Sequence, residues 1–146
     1  MPRLSFPIAK DGLRVEALIG LDSATTITLA QAGSPITPPS KIKALLDTGS
    51  DVSAAAPRVL QQLGLTPAQT VATYTAGGYV SVDLYRVSLT ILDTLSGSGP
   101  MFTKSSLWVT ELAVPLPGIE VLIGLNVVLD LVLTVDGPRQ TFTLDF

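Results

Sequence analysis

Ala44-Leu45-Leu46-Asp47-Thr48-Gly49-Ser50 is the stretch on which the reading of this chain turns. Lys41 to Leu46 is a short apolar run with the character of a strand, and it delivers one carboxylate, Asp47, to its end. A small hydroxyl and a glycine follow at once. Backbone amides beyond the aspartate are placed to hydrogen-bond its oxygens, and the glycine lets another backbone approach closely. Asp-Thr-Gly at a strand end is also ordinary Asx-turn chemistry. The tetrapeptide alone therefore leaves a turn and a reactive site equally open.

The rest of the composition narrows the chemistry. The chain of 146 residues has no cysteine and no histidine. Thiol catalysis, disulfides, Cys/His metal sites and every Ser-His or Cys-His mechanism are excluded. Carboxylates, hydroxyls, lysines and backbone amides must carry any catalysis. Hydrophobic residues make up 47% and charged residues 14%, the balance of a folded protein and the reverse of a disordered one. The net charge is -3 with scattered Lys and Arg, so no basic stripe for nucleic acid is expected. The most apolar stretch, Val121 to Val135, is interrupted by Asp130. It is too short and polar to span a bilayer and reads as core, so no membrane partner is expected. The N-terminal residues lack the apolar run of a signal peptide, and the absence of cysteine agrees with a cytoplasmic protein.

Working outward, β-branched residues dominate, and Gly and Pro punctuate at short intervals. That pattern favours an all-β sandwich or barrel. Strands are expected at Leu13 to Leu21, Thr25 to Ala30, Lys41 to Leu46, Val71 to Tyr74, Tyr79 to Ile91, Met101 to Leu112 and Val121 to Ile123. A closing hairpin is expected from Val132 to Val135 and Gln140 to Phe146. Pro57 to Leu63 reads as a short helix, opened by Pro57 and stopped by Gly64. Leu125 to Leu131 is a candidate second helix. Thr75-Ala76-Gly77-Gly78 reads as a hairpin tip, because Gly-Gly accepts positive φ. Trp108 is expected in the core.

Three features in one order make the reading specific. The Asp47 segment resembles the hydrophobic-hydrophobic-Asp-Thr-Gly-Ser motif of aspartic proteases. Val121-Leu122-Ile123-Gly124-Leu125-Asn126 is similar to the apolar-apolar-Gly element of that family, where the glycine makes room beside the active-site loop. The tip at Thr75 to Gly78 lies between them, placed like the family's flap. The chain holds one such Asp-Thr-Gly, so it resembles the retropepsin-like members. The resemblance implies an all-β closed barrel of acid-protease type with one or two short helices, and a single retropepsin-like domain over residues 1–146.

It also implies an endopeptidase that cleaves polypeptides as a homodimer, each subunit donating one aspartate, with no metal or cofactor. Asp47 would be the catalytic carboxylate, Thr48 a lock between the two loops, and Gly49 a contact to substrate backbone. Ser50, Asp51, Ala76, Gly77 and Gly78 are the candidate substrate-binding residues. The Ser50 hydroxyl either donates to the carboxylate or caps the loop. One departure stands out: Leu125 follows Gly124 where retroviral enzymes usually carry arginine. Asp51 then lacks its family partner, leaving Arg3, Arg58, Arg139 or solvent. The terminal strand Thr141 to Phe146 either interleaves with a second subunit, as the family commonly does, or closes on its own. A rival reading keeps the fold as a catalytically silent dimerisation or peptide-binding domain. Another takes Asp47 as a turn residue of an unrelated β-domain.

Overall fold

A computed structural model describes residues 1–146. Ten strands and three short helices follow one another as β1 (Arg3–Pro7), β2 (Arg14–Leu21), α1 (Ser23–Gln31), β3 (Ser40–Leu46), β4 (Ser53–Ala55), α2 (Pro57–Gln62), β5 (Gln69–Thr75), β6 (Gly78–Ile91), β7 (Phe102–Glu111), β8 (Val121–Ile123), α3 (Leu125–Val128), β9 (Val132–Asp136) and β10 (Thr141–Asp145).

Alternation builds the barrel wall. In β2, Val15, Ala17, Ile19 and Leu21 are buried; in β3, Ile42, Ala44 and Leu46 are. β6 contributes Tyr85, Val87, Leu89 and Ile91, and β7 contributes Leu107 and Val109. One face of each strand therefore enters a common core, as a period of two dictates. The strand order β2-β3-β8-β4-β7-β6 returns to β2 through the β2–β6 pairing, which closes a six-stranded barrel. Closure removes the edges that an open sheet would expose. β5 hangs outside the ring on β6. A separate sheet, β1-β10-β9, packs Leu4, Phe6, Phe142 and Leu144 against the same core. Phe6 and Phe142 stack at 5.1 Å between ring centroids.

Three expectations need correction. Thr25 to Ala30 is helix α1, not a strand. Both edges of β2 are already taken by β3 and β6, so the segment that follows has no ladder to join. Its threonines turn back on the helix instead: Thr26 Oγ1 donates to the Asp22 carbonyl at 3.1 Å and Thr28 Oγ1 to that of Ala24 at 3.0 Å. Threonine tolerates a helix better than Val or Ile because its hydroxyl can make this bond. The helices therefore number three rather than one or two. Trp108 is half-buried rather than core, with the Arg86 guanidinium 4.7 Å from its ring centroid. β1 and β4, where no strand was expected, are held by partners: β10 for β1, and β7 and β8 for β4.

Candidate active site

The barrel topology dictates the site. β8 lies between β3 and β4, pairing parallel with the first and antiparallel with the second. The loop Asp47–Val52, which joins β3 to β4, must cross over the C-terminal end of β8. Gly124 sits at that crossing. A Cβ built there would lie 2.7 Å from the Ser50 carbonyl oxygen and 2.9 Å from the Val52 carbonyl carbon. Both are main-chain atoms of the loop and cannot swing aside, so only glycine fits. The role expected for the apolar-apolar-Gly element has its physical cause here.

The loop is then pinned from both sides. The Asp47 N–H donates to the Ile123 carbonyl at 2.8 Å, and the Leu125 N–H donates to the Ser50 carbonyl at 2.7 Å. The Asn126 N–H donates to the Asp51 carbonyl at 3.2 Å. The Asp47 carboxylate, half-buried, accepts the Gly49 N–H on Oδ1 at 3.0 Å. This bond orients the carboxylate while leaving its other oxygen free. Thr48 and Gly49 are exposed at the loop crest.

The two alternatives for Ser50 are decided. Its hydroxyl donates to the Val52 carbonyl at 2.7 Å, so it caps the loop and does not reach the carboxylate. Asp51 is exposed and has no cation. Each arginine proposed for it is engaged elsewhere: Arg3 with Asp145 at 2.6 Å, Arg58 with Glu120 at 2.8 Å, and Arg139 with Asp136 at 3.5 Å. Solvent is what Asp51 meets in this chain.

Beneath the loop lies a polar network that sequence reasoning did not find. The Asn126 side-chain oxygen accepts from the Ser53 N–H at 3.0 Å and from the Ser53 hydroxyl at 2.8 Å. Ser53 Oγ in turn accepts the Gly124 N–H at 2.9 Å. Asn126 Nδ2 donates to the Trp108 carbonyl at 2.8 Å, tying the loop to β7. Ser53 is fully buried, so these partners are obligatory. Asn126 stood in the recognisable motif, but nothing in the sequence marked Ser53.

Ala76, Gly77 and Gly78 occupy the tip of the β5–β6 hairpin, with Thr75 opposite Gly78. Only Gly78 takes positive φ, at 106°, so the two glycines are not equivalent. The Thr75 hydroxyl donates to the Gly78 carbonyl at 2.8 Å and accepts the Gly77 N–H at 3.3 Å. Tyr74 and Tyr79 face each other across the hairpin, 5.2 Å apart edge to face, and both are more than 70% exposed. They are surface aromatics.

A β-barrel with one Asp-Thr-Gly loop crossing a glycine, and a protruding glycine-tipped hairpin, defines the retropepsin-like class of aspartic protease. Residues 36–127, well over half the chain, match the aspartyl protease family, and the chain belongs to that family. Among solved structures it is similar to a retropepsin-like aspartic protease from Rickettsia conorii. That likeness has 15% identity and a TM-score of 0.56, and covers 97% of this chain and 89% of the other. It is also matched to the simian foamy virus (mac) protease at 19% identity and a TM-score of 0.44, over 80% of this chain and 91% of that one. No curated protein matches. No helix is long and apolar enough to cross a membrane.

Proposed function

We propose that the chain is a subunit of a homodimeric aspartic endopeptidase and that Asp47 is its catalytic carboxylate. The observation that carries this reading is the Asp47 loop itself: one oriented, half-exposed carboxylate at the end of β3, held from below and open above.

Peptide hydrolysis of this kind needs two carboxylates. At about 3 Å separation they cannot both ionise, so they share a proton and titrate as a pair. The ionised one takes a proton from a bound water, which attacks the scissile carbonyl. The protonated one polarises that carbonyl and afterwards helps protonate the leaving amine. The chain supplies one carboxylate in the required setting, and a twofold axis between two Asp47-Thr48-Gly49 loops supplies the second. Thr48, exposed at the crest, meets its counterpart across that axis. No metal, cofactor or covalent intermediate enters this scheme.

An extended polypeptide fits between the crest and the hairpin tip, held by main-chain hydrogen bonds in strand fashion. Gly49 lets its backbone close on the loop. Ser50 and Asp51 border it below, where Asp51 is free for a substrate donor, and Ala76, Gly77 and Gly78 border it above.

The test profiles cleavage of a peptide library across pH for the wild type and Asp47→Asn. A bell-shaped profile with its maximum below neutrality is expected. The folded mutant should lose about 10²–10⁴-fold or more, the range for removing a general acid or base. Comparable turnover by folded Asp47→Asn would sink the assignment. A wild type that binds peptides without cleaving any would favour the silent, peptide-binding reading instead.

A further inference from the structure

Asn126 is the residue through which α3 grips the Asp47 loop. Its N–H donates to the Asp51 carbonyl at 3.2 Å, its side-chain oxygen accepts from Ser53, and Nδ2 donates to the Trp108 carbonyl. Its own carbonyl finds no backbone donor. In a longer helix it would take the N–H of Asp130, four residues on. That N–H turns instead to the Val127 carbonyl at 3.0 Å. The donor comes from 22 residues back along the chain: Lys104 on β7, whose Nζ lies 2.5 Å from the Asn126 carbonyl oxygen and 2.6 Å from Asp130 Oδ2. β7 therefore holds Asn126 twice, by the Trp108 carbonyl and by the Lys104 ammonium.

The setting of this lysine is unusual. Lysine ordinarily keeps its ammonium in water and lays only its stem on the protein. The Lys104 side chain is 27% exposed, against 63% for Lys41 in its surface pair with Glu16. What the buried cation touches explains the difference. α3 has only four residues, too few to keep its shape by itself. Val127 and Val128 are buried in the core and set its depth. Apolar contacts are non-directional, so they do not fix how the helix is turned. That rotation aims the N–H groups of Leu125 and Asn126 at the Ser50 and Asp51 carbonyls. It must be set by hydrogen bonds, and Lys104 makes one inside α3 and one just past its end.

We propose that Lys104 is a positioning residue for the Asp47 carboxylate. It acts through Asn126. The ammonium fixes the Asn126 carbonyl, Asn126 fixes Asp51 and Ser53, and the loop from Asp47 to Val52 keeps the placement that peptide hydrolysis needs. Lys104 itself takes no part in proton transfer. The Asp51 side chain meets no cation, and the charge that steadies its segment arrives through the main chain of α3. The inference rests on the endopeptidase reading above and adds what keeps the carboxylate in place.

The test compares four variants. Lys104→Met keeps a stem of similar length and loses the charge and the donors. Lys104→Arg keeps both charge and donors. Asp130→Asn, at an exposed position, loosens the ammonium without emptying its place. Lys41→Met breaks an ion pair at the far end of β3. In steady-state cleavage, Lys104→Met should lower kcat about tenfold with KM within about twofold, because a small misplacement of a reacting group costs rate rather than binding. Lys104→Arg should recover most of the loss. Asp130→Asn should lower kcat by a smaller factor, and Lys41→Met should cleave like the wild type. Amide exchange in Lys104→Met should quicken at Leu125 and Asn126 and not in β2 or β6. Wild-type kcat in Lys104→Met, corrected for its folded fraction, overturns the positioning role and leaves Asp47 standing; should that variant not fold, wild-type kcat in Asp130→Asn does the same. A wild type that cleaves no peptide overturns the endopeptidase reading. Exchange then decides Lys104 separately: quickening at Leu125 and Asn126 supports its hold on the loop, and unchanged exchange overturns it.

Discussion

The Asp47 loop and the β5–β6 hairpin tip face the same task with opposite construction. The loop is short and lies over a glycine with no room for a methyl group. It is held by main-chain bonds to Ile123, Leu125 and Asn126 and underpinned by Ser53. The tip has only itself: Thr75 bonds Gly77 and Gly78, Tyr74 meets Tyr79, and almost every residue from Thr70 to Ser81 is exposed or half-exposed. Opening free energies within one protein follow such differences in burial and partners. On the proposed endopeptidase reading, the chemistry would need a carboxylate that does not wander, and admission and release of a polypeptide a cover that does.

Substitutions should separate the two. The largest effect is expected at Gly124→Ala, where the new methyl meets main chain on three atoms. Overpacking of this kind costs about 1–3 kcal/mol, and the upper end is expected because the loop backbone cannot yield. Urea unfolding should register the loss, with cleavage falling in parallel; a stable, active Gly124→Ala would mean that the loop is not clamped at this crossing. Asn126→Ala comes next. It strips Ser53 of its acceptor and the Trp108 carbonyl of its donor. Leaving such buried groups unpaired costs about 1–3 kcal/mol. Hydrogen exchange should quicken at Ser53 and Gly124 before it does in β2 or β6.

The hairpin should show the converse pattern. Gly78→Val forces a β-branched residue to a φ of 106°, which resists it, while Gly77→Val meets no such barrier. We expect Gly78→Val to lower kcat/KM about tenfold and to cost about 1–3 kcal/mol of strain at the tip, and Gly77→Val to do less to kcat/KM and to move stability by under about 0.5 kcal/mol. Unchanged kinetics for Gly78→Val would mean that this hairpin does not cover the substrate.

The smallest effect lies at the far sheet. Arg3 donates to the Asp145 carboxylate from Nε at 2.6 Å and Nη2 at 3.1 Å, and these bonds hold that carboxyl below the usual carboxylate range. A depressed folded pKa contributes stability that is complete above the unfolded value, near 4, and is lost as pH falls through the folded one. The β1–β10 clasp should therefore loosen only in strong acid. Amide exchange of β1 against pH should show this for wild type and lose the dependence in Asp145→Asn.

Much of this was legible before any coordinates. Asp47-Thr48-Gly49, Gly124 and the glycine tip are local signatures, because each needs a residue type that few others replace. The strands with strict alternation, β2, β3 and β6, announced themselves for the same reason. Thr25 to Ala30 misled, since β-branched content says that a segment suits a strand but not whether an edge is vacant. The Ser50 hydroxyl was undecidable because the choice between the carboxylate and the Val52 carbonyl depends on how the loop folds back, which the local sequence does not specify.

What the sequence determined by itself is the chemistry on offer and the family: one carboxylate in an Asp-Thr-Gly loop, with no histidine or cysteine to compete. Those are properties of residues and their immediate neighbours. Only the tertiary structure decided that β10 stays between β1 and β9 of its own chain, that Ser53 and Asn126 carry the loop, and that Arg3, Arg58 and Arg139 all leave Asp51 free. Each of these depends on which of several chemically equivalent partners lies nearest once the barrel closes. That choice is made by packing, over separations along the chain that no local pattern can encode.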